Sequence, residues 1–437
     1  MVILGQILFV ICLVVAGWFF SKSVKRIRRN ILLGKDFVIE GDSGERLQTM
    51  LRVAFGQSKI LMRIIPGILH LMIYLGFLII NTEMLEIMID GIFGTHRILS
   101  GVLGPVYPIL TAIIEFFMLL VLIASIAFWV RRNVIKVPRF TSPELTRWPL
   151  LDANIILYVE LALITALFIM NTADQSLQKA QAEGYHAVGS FPLSSVLVPL
   201  FSGLSVTVLT IIERGAWWVH VVGILIFLNY IPRSKHLHIF LAFPTTYFSK
   251  LKPKGQLTNM ASVTQEVKLM LDPSLPPPPP PAEPIRFGAK DVFDLNWKQL
   301  LEAYSCTECG RCTSSCPANI TGKKLSPRKV MMDTRDRLEE VGLNIDQHGK
   351  FVEDGKTLLG DYITPEEVWA CTTCNACTEA CPVNLDPVAI IMELRRFMVM
   401  EESKAPEALN AMFTNVENNG APWAMPAADR FNWASNS

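Results

Sequence analysis

Four stretches of this chain, residues 4–20, 61–80, 105–130 and 152–171, are almost unbroken apolar sequence. A fifth, 216–232, is slightly shorter but continuous. A helix needs about 20 mostly apolar residues to cross a bilayer. The expected fold is therefore mainly α, beginning with a five-helix transmembrane bundle. A sixth apolar stretch, 192–212, is broken by Pro192, Pro199, Gly203 and several serines, and reads as an interfacial or re-entrant helix. The first stretch has no basic segment before it and KSVKRIRR directly after it. That pattern reads as an uncleaved helix rather than a signal peptide.

Charge orients the bundle. Residues 22–63 carry ten Lys/Arg and 131–148 carry five more. Between them, 81–100 carries only Arg97, and 172–215 only Lys179 and Arg214. Basic loops stay in the cytoplasm. The N-terminus is then expected outside, and everything after Pro232 inside the cell. Only 18% of the residues are charged and 51% are hydrophobic, where a soluble domain carries about 25% charge. This excludes a disordered chain and argues against an all-soluble enzyme. The net charge of +1 argues against a basic nucleic-acid binder. That figure hides a split. Residues 1–284 hold 24 Lys+Arg and 17 Asp+Glu, a net of +7, and residues 285–437 hold 16 and 22, a net of −6.

The segment HLHIFLAFPTTYFSKLKPKG after the fifth stretch is aromatic and basic, and suits the membrane surface. Six prolines, 276–281, follow. They predict a stiff polyproline spacer. The expected organisation is a membrane domain over 1–240, an interfacial segment over 241–272 and a Pro-rich linker over 273–284. A soluble domain over 285–402 and a tail over 403–437 complete it.

Eight of the nine cysteines lie after residue 300. They form Cys306-x2-Cys309-x2-Cys312-x3-Cys316-Pro317, and the pattern repeats at Cys371, Cys374, Cys377, Cys381 and Pro382. This is the spacing of bacterial ferredoxins with two [4Fe–4S] clusters, where the fourth cysteine of each run serves the other cluster. The expected ligand sets are Cys306, Cys309, Cys312 and Cys381 for one cluster, and Cys371, Cys374, Cys377 and Cys316 for the second. A short loop must wrap three thiolates around one cluster corner, hence the close, regular spacing. Disulfides do not suit a cytoplasmic domain, and zinc sites favour separated C-x2-C pairs. The runs are 55 residues apart. Ser326 and Pro327 mark a helix start in the insert. Residues 364–370 and 386–401 also read as helical, so the second domain is expected to be an α-helical ferredoxin.

Haem b in a bundle needs two imidazoles from different helices at one depth. His220 and His238 are 18 residues apart, which is five turns, about 27 Å, if one helix continues. His70 rises from the cytoplasmic face on the second span, and His238 lies near that face, so His70 and His238 are expected to pair. His220 sits near the outer end, where His96 or His186 would have to supply a partner for a second haem. His236 reads as a polar boundary residue. An intramembrane histidine is a functional residue by default. Cys12 reads as a packing or lipid-facing thiol, His348 as solvated, and Trp217–Trp218 as an interfacial aromatic anchor.

Residues 60–82 and 213–250 resemble the second and last spans of the cytochrome b (gamma) subunit of respiratory nitrate reductases. His70, His220 and His238 match that family's histidines; a further histidine of the pattern is replaced by Ile80. The soluble part, in WKQLLEAYSCTECGRCTSSCPA and WACTTCNACTEACPV, is similar to iron–sulfur subunits of heterodisulfide reductase. The whole chain resembles membrane iron–sulfur proteins associated with electron-transfer flavoproteins. Those relatives continue into cysteine-rich CCG domains, and the expectation here is a chain without them. The resemblance implies a separate CCG-type subunit or an electron-transfer flavoprotein as partner, and haem b as cofactor beside the two clusters. It also implies an electron-transfer role toward a membrane quinone. Lys59, Arg63 and Lys235 are expected near the quinone, with head-group anchoring an equally good reading for Lys59 and Arg63. Two rival expectations are a haem-free membrane ferredoxin-like reductase or cofactor-maturation protein, and a membrane anchor whose clusters are only structural.

Overall fold

The computed structural model describes residues 2–189, 191–277 and 286–435. The chain is mainly helical, with no strand among the described residues. Five helices are long and apolar enough to cross a membrane. They run Val2–Ile31, Ile64–Phe93, Tyr107–Asn133, Arg147–Lys179 and Val206–Tyr230. Their ends follow local chemistry. Arg28 and Arg29 close the first and Arg131 and Arg132 the third, where cations suit the helix dipole. The second ends on Gly94, whose φ of +71° and N–H to the Asp90 carbonyl make a left-handed cap.

The second span packs on the third, the fourth on the fifth, and the first lies across the second and fifth. Phe9, Met118, Leu167 and Val221 fill the shared interior. Small residues allow close approach: Gly91 lies against the Phe9 ring, Gly76 against Val121 and Gly223 against Leu163. The broken stretch 192–212 is divided. Pro192–Leu197 is a short helix, Gly203 bends the chain with a φ of +87°, and residues from Val206 onward join the fifth span.

Two expectations change here. The fifth helix does not continue to His238. It gives way to 3₁₀ turns at Ile231–Arg233 and Lys235–Leu237, with extended Ser234 between them, and His238 opens a new helix ending at Tyr247. Pro232 has no N–H to give the helix, so the five-turn register between His220 and His238 does not apply. Trp217 and Trp218 are not a surface belt. Trp217 is buried, with its ring centroid 5.3 Å from Phe9 and 5.1 Å from Trp218.

The soluble part is built on the helix Pro327–His348. Ser326 caps it with its hydroxyl, Pro327 takes the first position, and Gly349 ends it at a φ of +77°. Helices Pro365–Trp369 and Pro387–Met400 follow, capped by Thr364 and Asp386. Leu300, Leu338, Ile390 and Leu394 make the core between these helices. The polyproline spacer lies largely outside the described residues. The soluble part is docked by direct contacts rather than hung at a distance. Gly34, just past the first span, has no room for a side chain against the Leu295–Trp297 backbone. Asn30 donates to the Tyr304 hydroxyl at 2.9 Å.

Candidate iron–sulfur and haem site

Cys306, Cys309, Cys312 and Cys381 line one cavity together with Gly310, Arg311 and Pro382. The fourth thiol therefore comes from the other motif. Cys371 lies within electrostatic reach of Cys316 and Cys374, and Cys377 within reach of Cys371. The local turns explain the gathering. Glu308 adopts a φ of +54° and Gly310 one of +71° in the first run, and Thr373 and Asn375 take +55° and +57° in the second. Left-handed residues curl a short loop so that successive side chains point inward.

Burial pushes the thiols of Cys306, Cys377 and Cys381 up to about 12. Bare thiolates are therefore disfavoured there, and a thiolate-binding iron cluster supplies the missing positive charge. Protein cations stand close as well. Arg139 and Arg311 act on Cys309, and Lys59 on Cys381. The donor set and its surroundings fit an iron–sulfur cluster.

The first set faces the membrane part. Arg311 donates to the carbonyls of Lys59 at 3.2 Å and Ile60 at 2.9 Å. Lys59 donates to the Thr378 carbonyl and to Asn384 Oδ1 at 3.0 Å. Arg63 reaches Ser314 Oγ at 2.6 Å. Arg328 donates to the Arg139 carbonyl and to Glu144 Oε1, both at 2.7 Å. Lys235 Nζ meets Glu308 Oε2 at 2.6 Å. Burial pulls the Lys235 ammonium down; burial also raises Glu308, but Lys235 and Arg335 outweigh it and hold that carboxyl low. We read the pair as ionised, since the carboxylate has two cations beside it.

These contacts bear on the quinone expectation. Lys59, Arg63 and Lys235 are all engaged in holding the soluble part. The sequence reading missed the other half of this joint, Glu308, Arg311, Glu144 and Arg328. A signal existed: Glu308 and Arg311 are the charged residues inside the Cys306–Cys312 run.

The structure brings His70 and His238 together, with ring centroids 6.3 Å apart and planes inclined at 47°. A metal bonded at about 2 Å to one nitrogen of each ring separates the centroids by about 6 Å. The pair thus fits a bis-imidazole iron. His238 Nδ1 is 3.0 Å from the Lys235 carbonyl. A carbonyl only accepts, so Nδ1 carries the proton and Nε2 is free to ligate. His70 Nδ1 is buried without a hydrogen-bond partner. His236 stands beside His238 at 5.5 Å and against Phe227 at 5.4 Å.

His220 is buried in the fifth span, its Nδ1 3.0 Å from the Leu163 carbonyl. Neither expected partner reaches it in the contacts described. His96 packs on Tyr185 and lies 3.3 Å from Asp174, and His186 is exposed. Cys12 is half-buried against the bundle interior, and His348 is exposed. The far end of the bundle carries a buried network that sequence reading did not foresee. Arg97 donates to Glu83 at 2.9 Å, Asp174 at 3.1 Å and Asn171 at 2.6 Å. It clamps the second span to the fourth.

The fold and site define the class: a protein with a membrane part and a cysteine-rich domain built for iron–sulfur clusters. The profile of the 4Fe-4S dicluster domain matches residues 305–385. The chain is 30% identical to the protein of Bacillus subtilis named "Probable iron-sulfur-binding oxidoreductase FadF", over 99% of this chain and 61% of that one. It is 26% identical to the EtfAB:quinone oxidoreductase of Syntrophomonas wolfei, over 92% and 56%. It is 32% identical to the "Probable membrane-anchored ferredoxin" of Chromohalobacter salexigens, over 34% and 24%. The chain thus spans about six tenths of the length of the first two relatives. No solved structure matches.

Proposed function

We propose that this chain is a membrane-bound electron-transfer subunit linking a cytoplasmic donor, a flavoprotein or CCG-type subunit, to the membrane quinone pool. Two [4Fe–4S] clusters and one haem b supply one-electron steps when bound. In this reading Cys306, Cys309, Cys312 and Cys381 hold the first cluster, and Cys371, Cys374, Cys377 and Cys316 the second. His70 and His238 hold the haem. Residues 1–240 form the membrane cytochrome part and 285–402 the cluster domain, which faces the cytoplasm with the N-terminus outside.

The observation that carries the reading is the order of the sites. Cys374 of the second set is exposed, while Cys306 and Cys381 of the first are buried, and Arg311 ties that set's loop to the Lys59 and Ile60 carbonyls of the membrane part. Arg311 of that first set is within electrostatic reach of His70. The surface end suits a soluble donor and the inner end a membrane acceptor. The name of the Syntrophomonas relative, EtfAB:quinone oxidoreductase, supports a quinone acceptor.

A second reading, a haem-free membrane ferredoxin-like reductase, is favoured by the match to the "Probable membrane-anchored ferredoxin". Reduced-minus-oxidised spectra and iron quantification of the purified protein separate the two. A b-type band that His70→Ala removes, with iron for two [4Fe–4S] clusters retained, is expected. No band in the wild type ends the haem reading and leaves the haem-free one.

A further inference from the structure

Lys235 stands where three parts of the molecule meet. Its backbone N–H donates to Asp152 Oδ2 of the fourth span at 3.1 Å. Asp152 is held in turn by the Tyr230 hydroxyl at 2.5 Å. The Lys235 carbonyl accepts a hydrogen bond from His238 Nδ1–H at 3.0 Å. Its ammonium donates to the Pro149 carbonyl at 2.8 Å and to Glu308 Oε2 at 2.6 Å. Glu308 belongs to the Cys306–Cys309 loop, has a left-handed backbone, and is 5% exposed. Its other oxygen accepts from Arg335 Nη1 at 2.8 Å.

One residue therefore links the cysteine loop to the imidazole. The link works because both ends are buried. Without Glu308 the buried ammonium keeps only the longer contact to Asp152 Oδ2 at 3.8 Å and the Pro149 carbonyl, and weakening a buried ion pair is costly, so displacing Glu308 shifts the 3₁₀ turn that begins at Lys235. That turn presents the carbonyl that fixes the His238 ring. Partners of this kind set the orientation and basicity of the groups they hold.

We propose that Lys235 is a positioning residue that couples the orientation of the His238 imidazole to the seating of the Cys306–Cys309 loop. The coupling is reciprocal: disturbing either end moves the other. The cofactor roles of His238 and the two cysteines rest on the proposed function. The coupling itself is a property of the polypeptide, so the two can fail separately.

The test uses the full-length purified protein. Lys235→Met keeps the backbone N–H and carbonyl while removing the ammonium; Glu308→Gln keeps the loop and removes its charge. Amide hydrogen exchange is read in both segments of each variant. Lys235→Met should raise exchange across 306–312, and Glu308→Gln across 234–240, by about tenfold or more. Lys235→Arg should restore most of the protection. The low-spin haem signal in electron paramagnetic resonance should shift its g-values in both variants, because those values follow the ring planes. Exchange that rises only in the mutated segment, with g-values unchanged, overturns the proposal. If Lys235→Met does not accumulate, Glu308→Gln and Lys235→Arg decide the matter by the same readings. A wild type without haem would end the haem reading, and the exchange coupling would still stand or fall by itself.

Discussion

At the scale of single residues, the structure separates histidines that share a chemistry. His70 and His238 converge, whereas His220 is satisfied by a backbone carbonyl and meets no second imidazole in the contacts described. His238→Ala should therefore abolish the b-type band, and His220→Ala should leave most of it, as read by reduced-minus-oxidised spectra of matched preparations. A band lost equally in both variants would contradict this assignment. The cysteine sets make a parallel prediction. Cys381→Ser should remove the cluster held mainly by the first motif, roughly halving the iron content. The gathering of Cys381 with the first cysteine run in one cavity was expected from the spacing. The 6.3 Å meeting of His70 with His238 was expected, but the register used for His238 was not the one adopted.

At the scale of elements, termini behaved as local chemistry dictates. Ser326, Thr364 and Asp386 cap the helices that follow them, and Pro232 ends the fifth span's regular hydrogen bonding. Packing between elements was less readable. Arg337 is fully buried, bonding Asp291 at 2.8 Å, Asp354 at 2.6 Å and the Lys356 carbonyl at 2.9 Å. Its hydrogen bond holds the Asp354 carboxyl below the usual carboxylate range. Arg337→Met removes its bonds to the part-buried Asp291 and the exposed Asp354 and should cost about 1.5–3 kcal/mol, measured by chemical denaturation of the purified protein. Gly288 is a second such point. Its φ is +69° and a side chain would meet the Glu393 carbonyl at 2.3 Å. Gly288→Ala should cost about 2–4 kcal/mol in the same measurement.

At the scale of the whole molecule, the joint between the two parts is polar and acid-sensitive. Burial raises both Glu308 and Glu144. Lys235 and Arg335 outweigh it at Glu308, and Ser326 and Arg328 do so at Glu144, leaving both carboxyls below their ordinary range. Lowered carboxyls contribute stability that is complete above the unfolded pKa, about 4.3, and is lost as pH falls through the folded values. Acidification below about pH 4.3 should therefore loosen the joint. Limited proteolysis of the 134–146 and 306–316 segments with an acid-active protease reads this directly. Protection that persists unchanged below pH 4 would contradict it.

The amino-acid sequence by itself determined what is local or strictly periodic. Five apolar runs, two cysteine runs and a set of helix caps each act within a few turns of chain, and their physics does not need the rest of the molecule. It also placed the charge asymmetry between the two parts. Only the tertiary structure decided which charged residues meet. In the sequence Lys59, Arg63 and Lys235 read as quinone contacts, Lys59 and Arg63 equally as head-group anchors, because a sequence shows a cation without its partner. Their partners lie 73 to more than 300 residues away. The outcome depended on burial and pairing: a cation removed from water requires an anion or carbonyls, and the cluster domain supplies them.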